Sequence, residues 1–527
     1  MSQSVAALSK LGAWVAALRY DALPADVRRA ARYQLLDMIA AAYAGAESTD
    51  TRSIASACAA LGGHGGRSTV PALGIRLPPV EAAIANAAQS MANDFDDIVW
   101  MGHTCHSAVF ATLAVAEHED TGPREWITAI VAANEIGGRL GASSLLGPLN
   151  GQMWSFVHLV SAAAGVASLL RLDARETTHA LAIALAQPNF ALQPGFMVPS
   201  SKLLTASTPT ATGMRSAYFA RGGITGHPGI LEDRRGFWRR FTFMPLAGML
   251  DDLGTFWTTT TLGIKTHPGC YYFQTAFSAL AEILARRPVR GVDDIARVSV
   301  ATTKLACEAT RFAAEYAGRS VSPVNVDFDL SLALAVMLHA GRFTPVEHEP
   351  GWLDANTQAI ETWRARVDVR HDPMLTARVI GSMRASRAGA RTIADISVRS
   401  AIDLIRRYRA EYRSTLVAPS ELLGWVRALR GLRRRPGRPA TASLTLAFPS
   451  RVEVHYRDGT IERAEHDVPR GAFGTPEAES ALREKFMGVV GPRLGNARAN
   501  IAFERGLALE AGSLSSFVSL CTSVHSA

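Results

Sequence analysis

Cysteine is scarce in this chain, and its spacing excludes more than its number does. Cys58, Cys105, Cys270, Cys307 and Cys521 are scattered over 527 residues, with no C-x-x-C pair among them. That pattern argues against a zinc module or a disulfide framework and fits a reducing cytoplasm. Long apolar runs are missing too, so no stretch is expected to span a bilayer and no membrane partner is expected. Lys10 and Arg19 interrupt the apolar residues of the N-terminus, which therefore lacks the order of a signal peptide. The Gly-rich stretches match neither a P-loop nor G-x-G-x-x-G after a strand, so nucleotide binding has no support. His103 and His106 stand three apart without an H-E-x-x-H pattern, and no metal is expected. There is no short-period repeat and no heptad run.

What is present reads as a globular protein of two or three domains, with 48% hydrophobic and 19% charged residues. The net charge of +8 suits an anionic substrate or nucleic acid and decides neither. Apolar spacing predicts helices over 4–18, 24–45, 78–92, 108–118, 126–140, 157–170 and 176–186. Residues 51–75 hold several glycines and read as loop with at most one short helix. β-branched runs are scarce before Leu262, so residues 1–262 read as all-helical. After Lys265 the texture changes. Residues 298–303 are β-rich, 442–446 and 452–456 alternate, and Asp458-Gly459 signals a turn between strands. Helical patterns recur at Leu330 to His339 and from Glu477 onwards. The expected organisation is a helical domain of residues 1–262 plus 475–527 and an α+β domain of 263–474. Within the latter, a basic insertion occupies about 375–440. Its run Arg427–Arg438 lacks interleaved aromatics, so it reads as a solvated helix end and linker, with no nucleic-acid partner expected.

The chemistry concentrates in residues 93–117. Asp94, Asp96 and Asp97 flank a short loop with His103 and His106, and the apolar run behind His106 reads as a helix. A helix N-terminus offers free N–H groups and positive dipole to an anion. Two cations stand in comparable settings. Lys202 precedes a small-residue helix, and Lys265 precedes a Pro-Gly turn and a further helix. Each can present an ammonium to a carboxylate.

Several segments, in this order, resemble the MmgE/PrpD family, which includes 2-methylcitrate dehydratase, cis-aconitate decarboxylase and iminodisuccinate epimerase. They are Leu35-Leu-Asp-Met-Ile-Ala, Asp94-Phe-Asp-Asp with His106-Ser-Ala, and Ala132-Ala-Asn-Glu-Ile-Gly-Gly-Arg-Leu-Gly. Lys202 with Gly213, Gly222-Gly-Ile-Thr-Gly, Gly236-Phe, and Lys265 with Pro268 and Cys270 follow. Arg457-Asp-Gly-Thr and Glu484-Lys-Phe close the series. The resemblance implies a mainly α fold, a large helical domain with an inserted α+β lid domain. It also implies a cofactor-free lyase site between the domains, and a homodimer. Family positions carry over to Asp94, His106, Lys202, Lys265 and Cys270. The chain departs from the family pattern at Ile98, where threonine is usual. It departs again at Gln152, where a histidine is usual (His158 follows one or two helical steps later), and at Leu332, where an aromatic hydroxyl is usual.

Removing a proton next to a carboxylate needs a base, an acid and cations for the charge that builds up. The expected catalytic residues are Asp94, His106 and Lys202. His106 would be the general acid/base, with Asp94 orienting it or sharing its role. Lys265, His103, Gln152 and Cys270 are the expected substrate contacts. Dehydration or decarboxylation of a small di- or tricarboxylic acid is the leading reading. Epimerisation, a repurposed homologue and a non-catalytic basic binding protein are the alternatives.

Overall fold

The computed structural model describes residues 6–63, 65–100, 102–148, 156–197, 200–316, 318, 320–383, 389–390, 396–412, 421, 424–425, 427 and 445–523. The chain is mainly helical and divides into two units. The first comprises Met1–Ala92, Asp96–Ile264 and Glu479–Ala527, and the second Asn93–Phe95 and Lys265–Ala478.

The first unit is built from helices α1 (Ala7–Ala17), α2 (Ala25–Gly45), α3 (Thr49–Gly62), α4 (Pro79–Met91), α5 (Cys105–His118), α6 (Pro123–Ser143), α7 (Val157–Leu169), α8 (Ala174–Ala186) and α9 (Leu204–Arg221). Proline at N1 opens α4 and α6, where a missing N–H costs nothing. A capping box of Asp173 and Glu176 opens α8. Helices α5, α6 and α7 bury nearly every side chain, so their Ala, Gly and Ser content is a packing requirement. Gly213 on α9 shows it most clearly: a Cβ there would fall 2.2 Å from the Leu159 carbonyl oxygen of α7.

Two sequence expectations need correction in this unit. Residues 51–75 hold a full helix, α3, and then a hairpin of β1 (Ser68–Val70) and β2 (Ile75–Leu77). The unit is also not all-helical, because β3 (Asp97–Ile98) pairs with β4 (Gly263–Ile264). Strands of two or three residues carry too few alternations to register as a pattern.

The second unit holds a four-stranded sheet of order β6-β5-β7-β8, made of β5 (Ile295–Thr302), β6 (Val367–His371), β7 (Ser450–Tyr456) and β8 (Ile461–His466). β5 and β6 are parallel and the other neighbours antiparallel. Strand β7 alternates strictly between buried and half-buried residues, the pattern legible in its sequence. The expected strand at 442–446 does not form where it is described, since Thr445 and Leu446 are irregular and 442–444 lie outside the described residues. Helix α10 (Gln274–Arg286) packs on β7 and β8. Helices α11 (Lys304–Tyr316), α12 (Leu330–Ala340) and α13 (Pro350–Arg364) lie in the crossover from β5 to β6. Helices α14 (Pro373–Met383) and α15 (Val398–Tyr412) follow β6; of Arg427–Arg438, only Arg427 is among the described residues. The chain then returns to the first unit through α16 (Ala478–Leu494) and α17 (Asn496–Leu507).

Candidate active site

His106 is the second residue of α5 and is fully buried. Its Nδ1 lies 2.8 Å from the Ser90 hydroxyl, which also lies 3.0 Å from the Ala87 carbonyl. Ser90 can accept from or donate to this nitrogen, so it holds the ring orientation. Nε2 has no aligned hydrogen bond, yet it stands 3.2 Å from Asp96 Oδ2. The same oxygen accepts a hydrogen bond from His103 Nδ1 at 2.6 Å and lies 3.6 Å from the Cys105 sulfur. His103 of the loop and Cys105 and His106 of the first turn of α5 thus converge on a single carboxylate oxygen.

A polar chain holds this loop in place. Thr104 donates to Asn134 Oδ1 at 2.6 Å, Asn134 donates to Gln34 Oε1 at 2.8 Å, and Gln34 donates to Asp97 Oδ1 at 3.1 Å. Burial pushes the Asp97 carboxyl up, and the charges of Asp37 and Asp96 add to the effect. Asp97 is therefore a support for the loop that resists ionisation.

The sequence points to Gln152 ahead of His158 on α7, yet His158 belongs to this cluster. Its ring centroid is 5.6 Å from that of His106, and its Nδ1 lies 3.2 Å from the Ser107 hydroxyl. Ser107 also lies 2.9 Å from the Thr104 carbonyl, which ties His158 to the start of α5. Burial, followed by the nearby imidazoles of His106 and His103, holds its pKa well below the ordinary value. His158 is a neutral acceptor. Its place was readable only from the spacing of Ser107 and His158 on two helices that pack together, a tertiary fact. Gln152 lies outside the described residues.

Lys202 sits in a 3-10 turn, Ser200–Leu203, directly before α9. It is only 4% exposed, unlike an ordinary surface lysine, and its ammonium lies 6.0 Å from the Phe196 ring centroid.

Asp94, Lys265 and Cys270 belong to the second unit. Asp94 adopts a left-handed backbone, φ 46°, which aspartate tolerates better than most residues. Lys265 fixes it there: the buried ammonium donates to the Asp94 carbonyl at 2.8 Å and stands 3.4 Å from its carboxylate. The backbone N–H of Gly269 donates to the same carbonyl at 3.2 Å. Gly269 itself has φ 93° and lies against Asp327, so a side chain there would be strained. The Cys270 thiol is pushed up to about 12, first by burial and then by Asp94. Asp327, whose carbonyl accepts from the Cys270 N–H, forms a buried 2.7 Å pair with His348, which sequence reading did not single out. The carboxylate beside His106 is that of Asp96.

Residues 9–245 match the MmgE/PrpD N-terminal domain, and residues 267–402 match the MmgE/PrpD C-terminal domain. The chain belongs to the MmgE/PrpD family. Among curated proteins it is similar to the cis-aconitate decarboxylase of Aspergillus terreus, with 28% identity over 300 residues, 53% of this chain and 60% of that protein. The cis-aconitate decarboxylase-like protein oryM of Aspergillus oryzae is also 28% identical, over 284 residues that cover 49% of this chain and 58% of that protein. The match thus spans less than two thirds of either relative. No helix among the described residues is long and apolar enough to cross a membrane.

Proposed function

We propose that the protein is a cofactor-independent lyase acting on a small di- or tricarboxylic acid, with His106 moving a proton at the carbon next to a carboxylate. The observation that carries this reading is the placement of the buried His106 ring, with the Ser90 hydroxyl 2.8 Å from Nδ1 and the Asp96 carboxylate 3.2 Å from Nε2. Ser90 orients the ring from the Nδ1 side, and the buried Nε2 has no aligned hydrogen bond. A base so held pays no reorganisation when it takes a proton, and Asp96 at 3.2 Å stabilises the imidazolium that results. In dehydration the protonated ring then returns its proton to the leaving hydroxide; in decarboxylation no proton is first removed, and a ring that enters protonated gives its proton to the carbanion left by loss of CO2.

Lys202 and Lys265 are assigned to the substrate carboxylates, where their ammonium groups would stabilise the charge that builds up. Asp94 shares in the chemistry through its pairing with Lys265, and His103, Gln152 and Cys270 are further contacts. The relatives' name makes cis-aconitate the first substrate to try. Ile98, Gln152 and Leu332 argue that the preferred acid differs from the family's usual ones. A homodimer in the cytoplasm completes the reading.

The test is incubation of purified protein with a panel of small polycarboxylates, followed by mass analysis of the products. Loss of 18 or 44 mass units (roughly water or CO2) from one of them, abolished in His106→Ala with the fold intact, supports the assignment. Turnover that survives in His106→Ala removes His106 from the mechanism.

A further inference from the structure

We propose that Asp96, Cys105 and His106 form a binding site for a thiolate-tolerant divalent cation of the Zn2+ class. We further propose that the bound ion withdraws His106 from proton chemistry. The second part rests on the proposed role of His106; the first does not.

The donor atoms of these three buried residues all lie within 4.8 Å of one another. Tetrahedral zinc holds sulfur at about 2.3 Å and nitrogen or oxygen at about 2.0–2.1 Å, which gives edges of about 3.6 Å for S···O and about 3.3 Å for N···O. The observed separations from Asp96 Oδ2 are 3.6 Å to the Cys105 sulfur and 3.2 Å to His106 Nε2. Two edges of the tetrahedron are therefore preformed. The His106 ring is set for the task, because its buried Nε2 has no hydrogen-bond partner and the Ser90 hydroxyl, 2.8 Å from the opposite nitrogen, can accept its N–H once Nε2 is a ligand. An outer-shell acceptor on the far nitrogen is the usual way of orienting a metal-binding histidine.

His103 Nδ1, at 2.6 Å from the same oxygen, is too close for a second ligand edge. It remains a donor to Asp96, and a water takes the fourth position. The set of one thiolate, one imidazole and one carboxylate favours Zn2+ or Co2+ over Mg2+ or Ca2+. On binding, the Cys105 S–H bond breaks, a sulfur–metal bond forms and the proton leaves to solvent, with no change of oxidation state. Sequence spacing pointed away from a metal because it compared only His103 with His106. The cluster uses Asp96 and Cys105, each brought in by the turn of the loop.

The experiment titrates metal-free, reduced protein with Co2+ and follows the thiolate-to-cobalt charge-transfer absorption. One ion per chain, with the band displaced by Zn2+, is expected. Cys105→Ser should lose the band, and Asp96→Asn should bind at least about tenfold more weakly, since even outer-shell changes cost ten- to a hundredfold. Absence of the band in the wild type, or its survival in Cys105→Ser, overturns the site. X-ray absorption at the zinc edge of the loaded wild-type protein needs no variant: one sulfur at about 2.3 Å is expected, and a shell of nitrogen and oxygen alone contradicts it. Turnover of the metal-free protein should fall in step with Zn2+ occupancy and return with a chelator. Turnover unchanged at full occupancy overturns the withdrawal of His106. Binding without any turnover, metal-free or loaded, overturns the lyase reading and the withdrawal while the site stands.

Discussion

Replacing Lys485 with methionine removes a buried cation while keeping most of its volume. Lys485 on α16 lies 2.7 Å from Asp37 on α2, with side chains 1% and 0% exposed. At an effective dielectric of about 20 the gross attraction at this distance is about 6 kcal/mol, much of it offset by the cost of drying both charges. Removing one partner leaves the other charge buried, so the single variant should lose about 3–5 kcal/mol. The loss should be greater at pH 8 than at pH 5, because the stranded Asp37 can escape part of the cost by taking a proton. The double variant Asp37→Asn with Lys485→Met should recover most of it, because two neutral groups need no counter-charge. Urea unfolding by circular dichroism at both pH values gives the three comparisons. A single variant within about 1 kcal/mol of wild type, with no gain in the double, would refute the claim that this pair ties the C-terminal helices to α2.

Gly213→Ala should cost about 1–3 kcal/mol, read as a lower unfolding midpoint, because its Cβ would press on the Leu159 carbonyl oxygen. Lys202→Met should raise KM for the carboxylate substrate and lower kcat together, and unchanged values of both would leave Lys202 a packing role beside Phe196. His267, partly buried beside Phe277, has its pKa lowered to about 4, by burial first and then by Arg470. The unfolded chain therefore binds the extra proton below about pH 6.5, so this histidine's contribution is complete above that pH and is lost as pH falls through 4. The span is at most about 3 kcal/mol, less whatever solvent screening of the ring allows. His267→Gln should flatten the stability profile between those two pH values, and an unchanged slope there would assign the acid sensitivity elsewhere.

The helical unit was legible because its helices are long and their apolar spacing is regular, although the starts at Pro123 and Ala174 lie ahead of the expected ones. β5 and β7 were legible from β-branched content and alternation, with the Asp458-Gly459 turn after β7. The hairpin at Ser68–Leu77 was not, because three-residue strands leave no period to detect. In the candidate site, His106 and its aspartate loop stood out as a polar island ahead of an apolar helix. The choice among the three aspartates did not, since it depends on which oxygen the folded loop turns toward His106. His158 and Ser90 were also hidden. Both lie on buried helices remote in sequence, and only packing brings them to the imidazole.

The central claim is that His106 moves a proton next to a substrate carboxylate. It is tested most directly by incubating the metal-free protein with cis-aconitate and related acids in deuterated water and following label at the α-carbon by NMR. Deuterium entering substrate or product with wild type, and at least about a hundredfold more slowly with His106→Ala, is the expected result. Equal incorporation by the two proteins, or none with any acid while product still forms, would contradict it.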